Sequence, residues 1–149
     1  MLIQPFGSSD FSFCAVGDTV VYKYNMANNS LNVIFSYPNP IADFKVDDED
    51  VFFASGNQVM AFLTEKYYIP IFQSELPVLN IAFCGQESLF FSDESGLWLV
   101  DKKRNKISIL DQPVLEIITD SNMQGFFKMM DGSWLFVHPI TNYMSTELK

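Results

Sequence analysis

The sequence predicts an all-β fold built as an array of repeated four-stranded antiparallel sheets. No window of ten residues sustains apolar side chains at helical spacing, so helices are not expected. Short apolar runs alternate instead with turn-rich polar segments, as in successive strands. One pattern, a phenylalanine pair followed by a polar turn and a second apolar run, is written three times, as VFFASGNQVMAFL (51–63), LFFSDESGLWLV (89–100) and GFFKMMDGSWLFV (125–137).

The repeats have a period of 36 to 38 residues, set by the positions of the three phenylalanine pairs, and a proline precedes each full copy at positions 40, 77 and 113. Proline suits a connector between sheets because it donates no ladder hydrogen bond. We predict one domain over 1–149 with repeats at 1–38, 39–76, 77–112 and 113–149. The first repeat is expected to be incomplete, because its first strand would have to come from the extreme N-terminus.

Each full repeat is predicted to hold four short strands, which in the third repeat are Leu79–Cys84, Leu89–Ser92, Leu97–Val100 and Ile107–Leu110. The second and third strands are almost continuously apolar, so both faces of each sheet are expected to be covered. The fourth strands are more polar. In the second repeat this strand carries Pro70, which is tolerated only at a sheet edge.

Sheets of this kind, covered on both faces and recurring at this period, resemble the blades of β-propellers. The resemblance covers residues 11–148 and implies a β-propeller-like array of about four antiparallel blades. Within it, the run Gly96-Leu97-Trp98-Leu99-Val100 is similar to the Gly-Leu-Trp blades of bacterial two-component sensor propellers.

Composition and charge exclude several classes of partner. The chain has 149 residues, 48% of them hydrophobic, and a formal charge of -9, so nucleic acids and anionic membranes are not expected as partners. The basic cluster Lys102-Lys103-Arg104 with Lys106 is predicted to be a solvated turn rather than a nucleic-acid contact. No apolar run is long enough for a transmembrane helix. The lack of a visible signal peptide slightly favours a cytoplasmic location.

The sequence indicates no enzyme and no cofactor or metal. His138 is the single histidine and follows an apolar run, which favours a structural or surface residue at a strand end over a general base. The acidic run 47–50 is interpreted as a solvated loop, with a hard-cation site as the alternative. Trp98 and Trp134 are predicted to pack between sheets, the alternative being a ligand platform. Cys14 and Cys84 are predicted to be buried thiols, although a bridge between them stays open.

Two functional classes remain. The first is a non-catalytic protein-interaction or scaffold module, in which rigid blades present surfaces to a protein partner. The second is a ligand-sensing propeller for a small molecule or sugar, or a fragment of a propeller enzyme. For the second class the candidate ligand-binding residues are Asp43, Asn80 and Glu116, whose nearly equivalent repeat positions predict a ring on the inner strands.

Four blades in an open arc would expose an apolar sheet face at each end. We therefore predict that the chain pairs with itself as a dimer that completes a larger ring, or that it is part of a longer propeller. The competing arrangement is a closed four-bladed monomer, whose first blade would take Leu2–Gln4 or Tyr143–Leu148 as its closing strand.

Overall fold

The computed structural model of the chain describes residues 2–5, 12–83, 88–101, 103–119, 125–138 and 143–148, and these contain strands and turns without a helix. These residues include no helix that is long and apolar enough to cross a membrane. The first sheet is formed by β1 (Leu2–Pro5), β2 (Ser12–Gly17), β3 (Val20–Asn25) and β4 (Ser30–Ser36). The second is formed by β5 (Asp43–Asp47), β6 (Asp50–Ser55), β7 (Gln58–Phe62) and β8 (Tyr68–Gln73). The third is formed by β9 (Asn80–Phe83), β10 (Leu89–Asp93), β11 (Gly96–Val100) and β12 (Lys106–Leu110). The fourth is formed by β13 (Val114–Thr119), β14 (Gly125–Met129), β15 (Trp134–His138) and β16 (Tyr143–Leu148).

All four sheets are antiparallel meanders in which each strand pairs with the next one along the chain. The all-β prediction is confirmed, and each sheet falls inside one predicted repeat. The expectation of an incomplete first repeat was wrong, because β1 pairs with β2 over its four residues and completes the first sheet. The segment Tyr143–Leu148 pairs with β15 and is the last strand of the fourth sheet.

The contacts divide the chain into two compact units, Met1–Val78 and Leu79–Lys149. The N-terminal unit holds the first two sheets, and their facing side chains form one apolar core centred on Val21, Phe35, Phe44 and Phe53. The C-terminal unit holds the last two sheets, with a second core that includes Phe90, Leu97, Ile117 and Phe127.

Each sheet has two faces, which we name by the direction of packing along the chain. The forward face of a sheet is the face directed towards the next sheet along the chain. The first and third sheets use this face to pack on the second and fourth sheets. The rear face is the opposite one. The second and fourth sheets use their rear faces to pack on the preceding sheet. The forward face of the first sheet carries Cys14, Val16, Val21 and Phe35. The rear face of the second sheet carries Phe44, Val51, Phe53 and Phe62.

The phenylalanine pairs follow from this two-sided burial. Adjacent residues of a strand point to opposite faces, so a pair supplies one ring to each side of its sheet. Phe90 and Phe91 are both fully buried. Phe127 lies on the rear face of the fourth sheet, in the core of the C-terminal unit. Burying one such ring contributes about 2 to 3 kcal/mol.

The fourth strand of the second sheet lies at its edge, as predicted from Pro70. Pro70 stands opposite Met60, next to a register shift between Val59 and Met60. The first and third sheets carry a shift at the corresponding place, between Val21 and Tyr22 and between Leu97 and Trp98. This repeated bulge sets a common register for the outer strands of the three sheets.

The acidic run 47–50 forms the tight turn that joins β5 to β6. Asp47 and Asp50 pair with each other, and the two turn residues between them are exposed, with Asp48 at a positive φ of 55°. The Asp50 carboxylate accepts hydrogen bonds from the backbone N–H of Thr64 at 2.8 Å and from its hydroxyl at 2.7 Å. Asp50 therefore ties this turn to the segment that follows β7.

Candidate interaction surfaces

The three residues predicted for a ring occupy the same register in their sheets. Asp43 stands opposite Ala54 in the second sheet. Asn80 stands opposite Ser92 in the third, and Glu116 opposite Lys128 in the fourth. Each of these partners directly follows the second phenylalanine of a pair, so the sequence alignment of the repeats is also their structural alignment.

The environments of the three residues differ. Asp43 is only 6% exposed, forms an ion pair with Lys45 at 3.2 Å and accepts a hydrogen bond from the backbone N–H of Phe44 at 2.9 Å. The half-buried Asn80 donates its side-chain amide to the hydroxyl of Ser92 at 2.9 Å. Glu116 is exposed, opposite Lys128. Asp43 and Asn80 thus hydrogen-bond within their own sheets, which leaves them less capacity for a ligand.

First strands of neighbouring sheets lie side by side within each unit. In the C-terminal unit β9 lies next to β13, so Asn80 and Glu116 belong to neighbouring strands. Asp43 belongs to the N-terminal unit, where β5 lies next to β1. The first sheet has Leu2, opposite Val16, at the register of the three polar residues. The first sheet therefore has an apolar residue where the other three sheets have Asp43, Asn80 and Glu116.

The rear face of the first sheet is exposed and apolar. Side chains directly opposite each other on antiparallel strands share a face. Two rows of residues cross this face. Among the described side chains, Ile3, Tyr22 and Val33 belong to one row, and Tyr24 and Leu31 belong to the other. The side chains of Ile3, Leu31 and Val33 are 58%, 62% and 59% exposed, and that of Tyr24 is also exposed. Neither row contains a charged residue.

The forward face of the fourth sheet is the second exposed apolar surface. Ile118, Phe126 and Phe136 form one row across it, and Glu116, Lys128 and Trp134 form the other. Ile118 is 46% exposed, and the half-buried rings of Phe126 and Phe136 have centroids 5.4 Å apart. The two charged residues of this face stand opposite each other, so the face carries no net charge.

The aspartates Asp93 and Asp131 organise the β10–β11 and β14–β15 turns. The Asp93 carboxylate, 2% exposed, accepts hydrogen bonds from the backbone N–H of Ser95 at 2.8 Å and from its hydroxyl at 2.5 Å. It also accepts the Gly96 N–H at 3.2 Å and the Trp98 indole N–H at 3.3 Å. Burial raises the pKa of Asp93, but these hydrogen bonds outweigh it and the pKa is lowered.

Asp131 repeats this arrangement, accepting the Ser133 N–H at 2.9 Å and the Ser133 hydroxyl at 2.5 Å. These hydrogen bonds lower the pKa of Asp131. The sequence predicted polar turns here but did not reveal the roles of the two aspartates, although both turns share an Asp-x-Ser spacing. Both aspartates already accept hydrogen bonds from their own turns, which favours a structural role.

The half-buried Trp98 stacks on Phe91, with centroids 6.4 Å apart and ring planes at 14°. The Lys106 ammonium lies 4.1 Å from the centroid of the Trp98 ring, within the range of a cation–π interaction. One lysine of the predicted basic cluster is therefore engaged with this indole. Lys103 and Arg104 are exposed in the turn between β11 and β12, and Lys102 lies outside the described residues.

The thiol of Cys14 is buried in the core of the N-terminal unit, as predicted, and burial raises its pKa to about 12. The prediction for Cys84 lies outside the described residues. His138 ends β15, but its side chain lies outside the described part of the chain. No group of three potential metal-ligating side chains occurs among the described residues.

A cleft of about 490 Å³ lies beside the β14–β15 turn of the C-terminal unit. Its walls include the apolar side chains of Met129, Met130 and Leu135, with Asp131 and Ser133 as polar groups. Because the carboxylate and the hydroxyl are hydrogen-bonded to each other, the cleft offers a ligand little polar recognition.

A scan against models of known protein families gives no match, and a search of curated proteins gives none either.

Proposed function

We propose that this chain is a non-catalytic protein-interaction or scaffold module built on propeller-type blades. The observation that carries the proposal is the exposed rear face of the first sheet, where two uncharged rows meet solvent. Contiguous apolar patches on soluble proteins mark sites of interaction. The expected partner presents an apolar sheet face, because the opposite face of the same sheet already packs on one.

The packing within each unit supports the propeller-type arrangement. Both units stack two four-stranded meanders, forward face against rear face, with their first strands side by side. Neighbouring blades of a propeller pack in this way. The Gly-Leu-Trp run of β11 adds the sequence resemblance to sensor propellers.

A ligand-sensing propeller or a fragment of a propeller enzyme is the second candidate. It is favoured by the common register of Asp43, Asn80 and Glu116. A thermal-shift screen of sugars, nucleotides and divalent ions tests it. Stabilisation by a compound that is lost when any of the three residues is changed to alanine would support this candidate over the interaction module.

Site-specific photocrosslinking in cells that produce the full chain tests the interaction module. A photoreactive residue replaces Val33 on the rear face or, as the control, Glu65 in an exposed turn of the same unit. We expect a discrete protein adduct from position 33 alone, and its loss when Leu31→Lys is added. The proposal fails if position 33 yields no adduct or if both positions yield the same adducts.

A further inference from the structure

We infer that the rear face of the first sheet binds the forward face of the fourth sheet in a second copy of the chain. This inference rests on the proposed interaction module and names its partner. Two copies related by a twofold axis make this contact twice, once through each pair of faces. The product is a closed dimer of about 34 kDa, twice the chain mass of 17.0 kDa.

The proposed interface has the same arrangement as the two sheet-to-sheet contacts within the units. The first and third sheets each place a forward face on the rear face of the following sheet. The first sheet still exposes a rear face, and the fourth still exposes a forward face. A second copy therefore supplies the complementary partner for both exposed surfaces.

The exposed rear face of the first sheet has side chains at the same positions as the buried rear face of the second sheet. Counted from the turn between the second and third strands, Tyr22 and Tyr24 occupy the positions of Met60 and Phe62 in the second sheet. Phe62 is buried in the core that joins the second sheet to the first, and the half-buried Met60 packs against this core. Both sheets carry the bulge directly before these positions, so their outer strands follow the same path.

The exposed forward face of the fourth sheet corresponds in the same way to the buried forward face of the third sheet. Phe126 and Trp134 of the fourth sheet occupy the positions of Phe90 and Leu97 in the third. Phe90 and Leu97 are fully buried in the core that joins the third sheet to the fourth. In the fourth sheet the corresponding side chains are only half-buried.

Charge does not oppose this pairing of faces. The rear face has no charged residue, and the forward face balances Glu116 with Lys128. A copy nevertheless carries a formal charge of -9, so two copies repel each other at long range. Added salt screens this repulsion and strengthens apolar burial, so we expect salt to tighten the dimer.

The area that the dimer buries is larger when the contact is made twice. The exposed side chains of the rear face present on the order of 400 Å² of apolar surface, comparable with the largest patch on a typical monomer. In a twofold dimer each copy buries one rear and one forward face. Both faces therefore contribute to the interface, for which roughly 800 Å² per partner is the standard size.

Light scattering on the purified full chain, with one variant for each face, tests the inference. Leu31→Lys places a charge on the rear face and Ile118→Lys places one on the forward face, both at exposed positions. We expect each change to weaken dimerisation about tenfold or more, because the charge would be buried unpaired. Each lysine also lowers the net negative charge, so greater repulsion between copies cannot explain the loss. The controls Met26→Lys and Met130→Lys place the same charge at exposed turn positions outside the two faces and should leave the dimer intact.

Mixing the two face variants tests the pairing directly. The Leu31→Lys chain keeps a forward face and the Ile118→Lys chain keeps a rear face, so the mixture should recover one contact and form a heterodimer. A wild-type mass of 17 kDa at all concentrations would overturn the inference. A dimer that survives Ile118→Lys, or species larger than a dimer, would also overturn it. A crosslinked adduct at position 33 with a mass other than that of two copies would leave the interaction module standing without self-pairing.

Discussion

The hydroxyl of Tyr68 donates a hydrogen bond of 2.7 Å to the backbone carbonyl oxygen of Ser36 and links the edge strand of the second sheet to the last strand of the first. The Tyr68 ring also packs against Phe35 and Phe62, with centroids 5.7 Å and 5.1 Å away. One side chain thus joins the two sheets of the N-terminal unit by both apolar packing and a polar contact.

Tyr68→Phe should lower the free energy of unfolding by about 1 kcal/mol, because the ring packing is kept while the hydrogen bond is lost. Urea unfolding of the purified chain measures the change. Tyr67→Phe is the matched control, since Tyr67 is an exposed neighbour. Equal effects of the two substitutions would contradict a specific role for the Tyr68 hydroxyl.

Gly96→Ala should lower the free energy of unfolding by about 3 kcal/mol or more. Gly96 has a φ of 151°, and an added Cβ would lie 2.0 Å from the Leu110 carbonyl oxygen, a backbone atom that cannot move aside cheaply. Gly56→Ala is the control, because Gly56 has a φ of 57° but open space around the added carbon. Its cost should be about 1 to 2 kcal/mol. Chemical denaturation compares the two, and equal costs would contradict the contact with Leu110.

Asp93 should make the stability of the C-terminal unit depend on acid pH. Its hydrogen bonds hold its pKa below the ordinary value of 3.8, so the stabilisation is complete above pH 3.8 and is lost as the pH falls through the folded pKa. Asp93→Asn should flatten this acid dependence and lower stability at neutral pH by about 1 to 3 kcal/mol. Glu94→Gln, in the same turn, is the control. Thermal unfolding measured across acid pH checks both, and an unchanged pH profile in Asp93→Asn would contradict the assignment.

Local patterns predicted the strands because their causes are local. The phenylalanine pairs and the edge position of Pro70 follow from strand alternation and from the missing N–H of proline. The four-residue strand Leu2–Pro5 is too short and ends in a proline, so its sequence does not reveal that it completes the first sheet. The roles of Asp93 and Asp50 were missed for a different reason. Their hydrogen bonds depend on turn geometry, and the partners of Asp50 lie fourteen residues away.

The candidate surfaces were also predicted only in part. The repeat alignment placed Asp43, Asn80 and Glu116 correctly in register, because antiparallel pairing preserves the spacing of the repeats. It did not reveal that Asp43 is tied to Lys45, since that contact depends on the side-chain conformation. An apolar face was expected at each end of the array, but the repeats did not reveal that Ile3, Leu31 and Val33 are the most exposed side chains of the first sheet's rear face.

Asp50→Ala should lower the free energy of unfolding by about 1 to 2 kcal/mol, because two donors of Thr64 lose their acceptor. Glu49→Ala, at the exposed neighbouring position, is the control. A chelator should leave the melting temperature of the wild-type chain unchanged, since Asp50 is engaged by protein donors. A fall of several degrees that calcium reverses would show that the acidic turn binds a cation instead.

Cys14 should resist modification in the folded protein. Its thiol is fully buried in the core of the N-terminal unit, and the burial that raises its pKa to about 12 leaves almost no thiolate at neutral pH. Because the thiolate is the reactive form, exclusion from solvent and a high pKa both slow the reaction.

The measurement uses a Cys84→Ser chain, so that any signal from a coloured thiol reagent comes from Cys14 alone. We expect no labelling under native conditions and one equivalent after denaturation in urea. Addition of Tyr68→Phe should accelerate the native reaction, because weaker attachment between the first two sheets increases opening of the core that contains Cys14. Rapid labelling of the folded Cys84→Ser chain would contradict the burial of Cys14 and, with it, the packing of the forward face of the first sheet on the second.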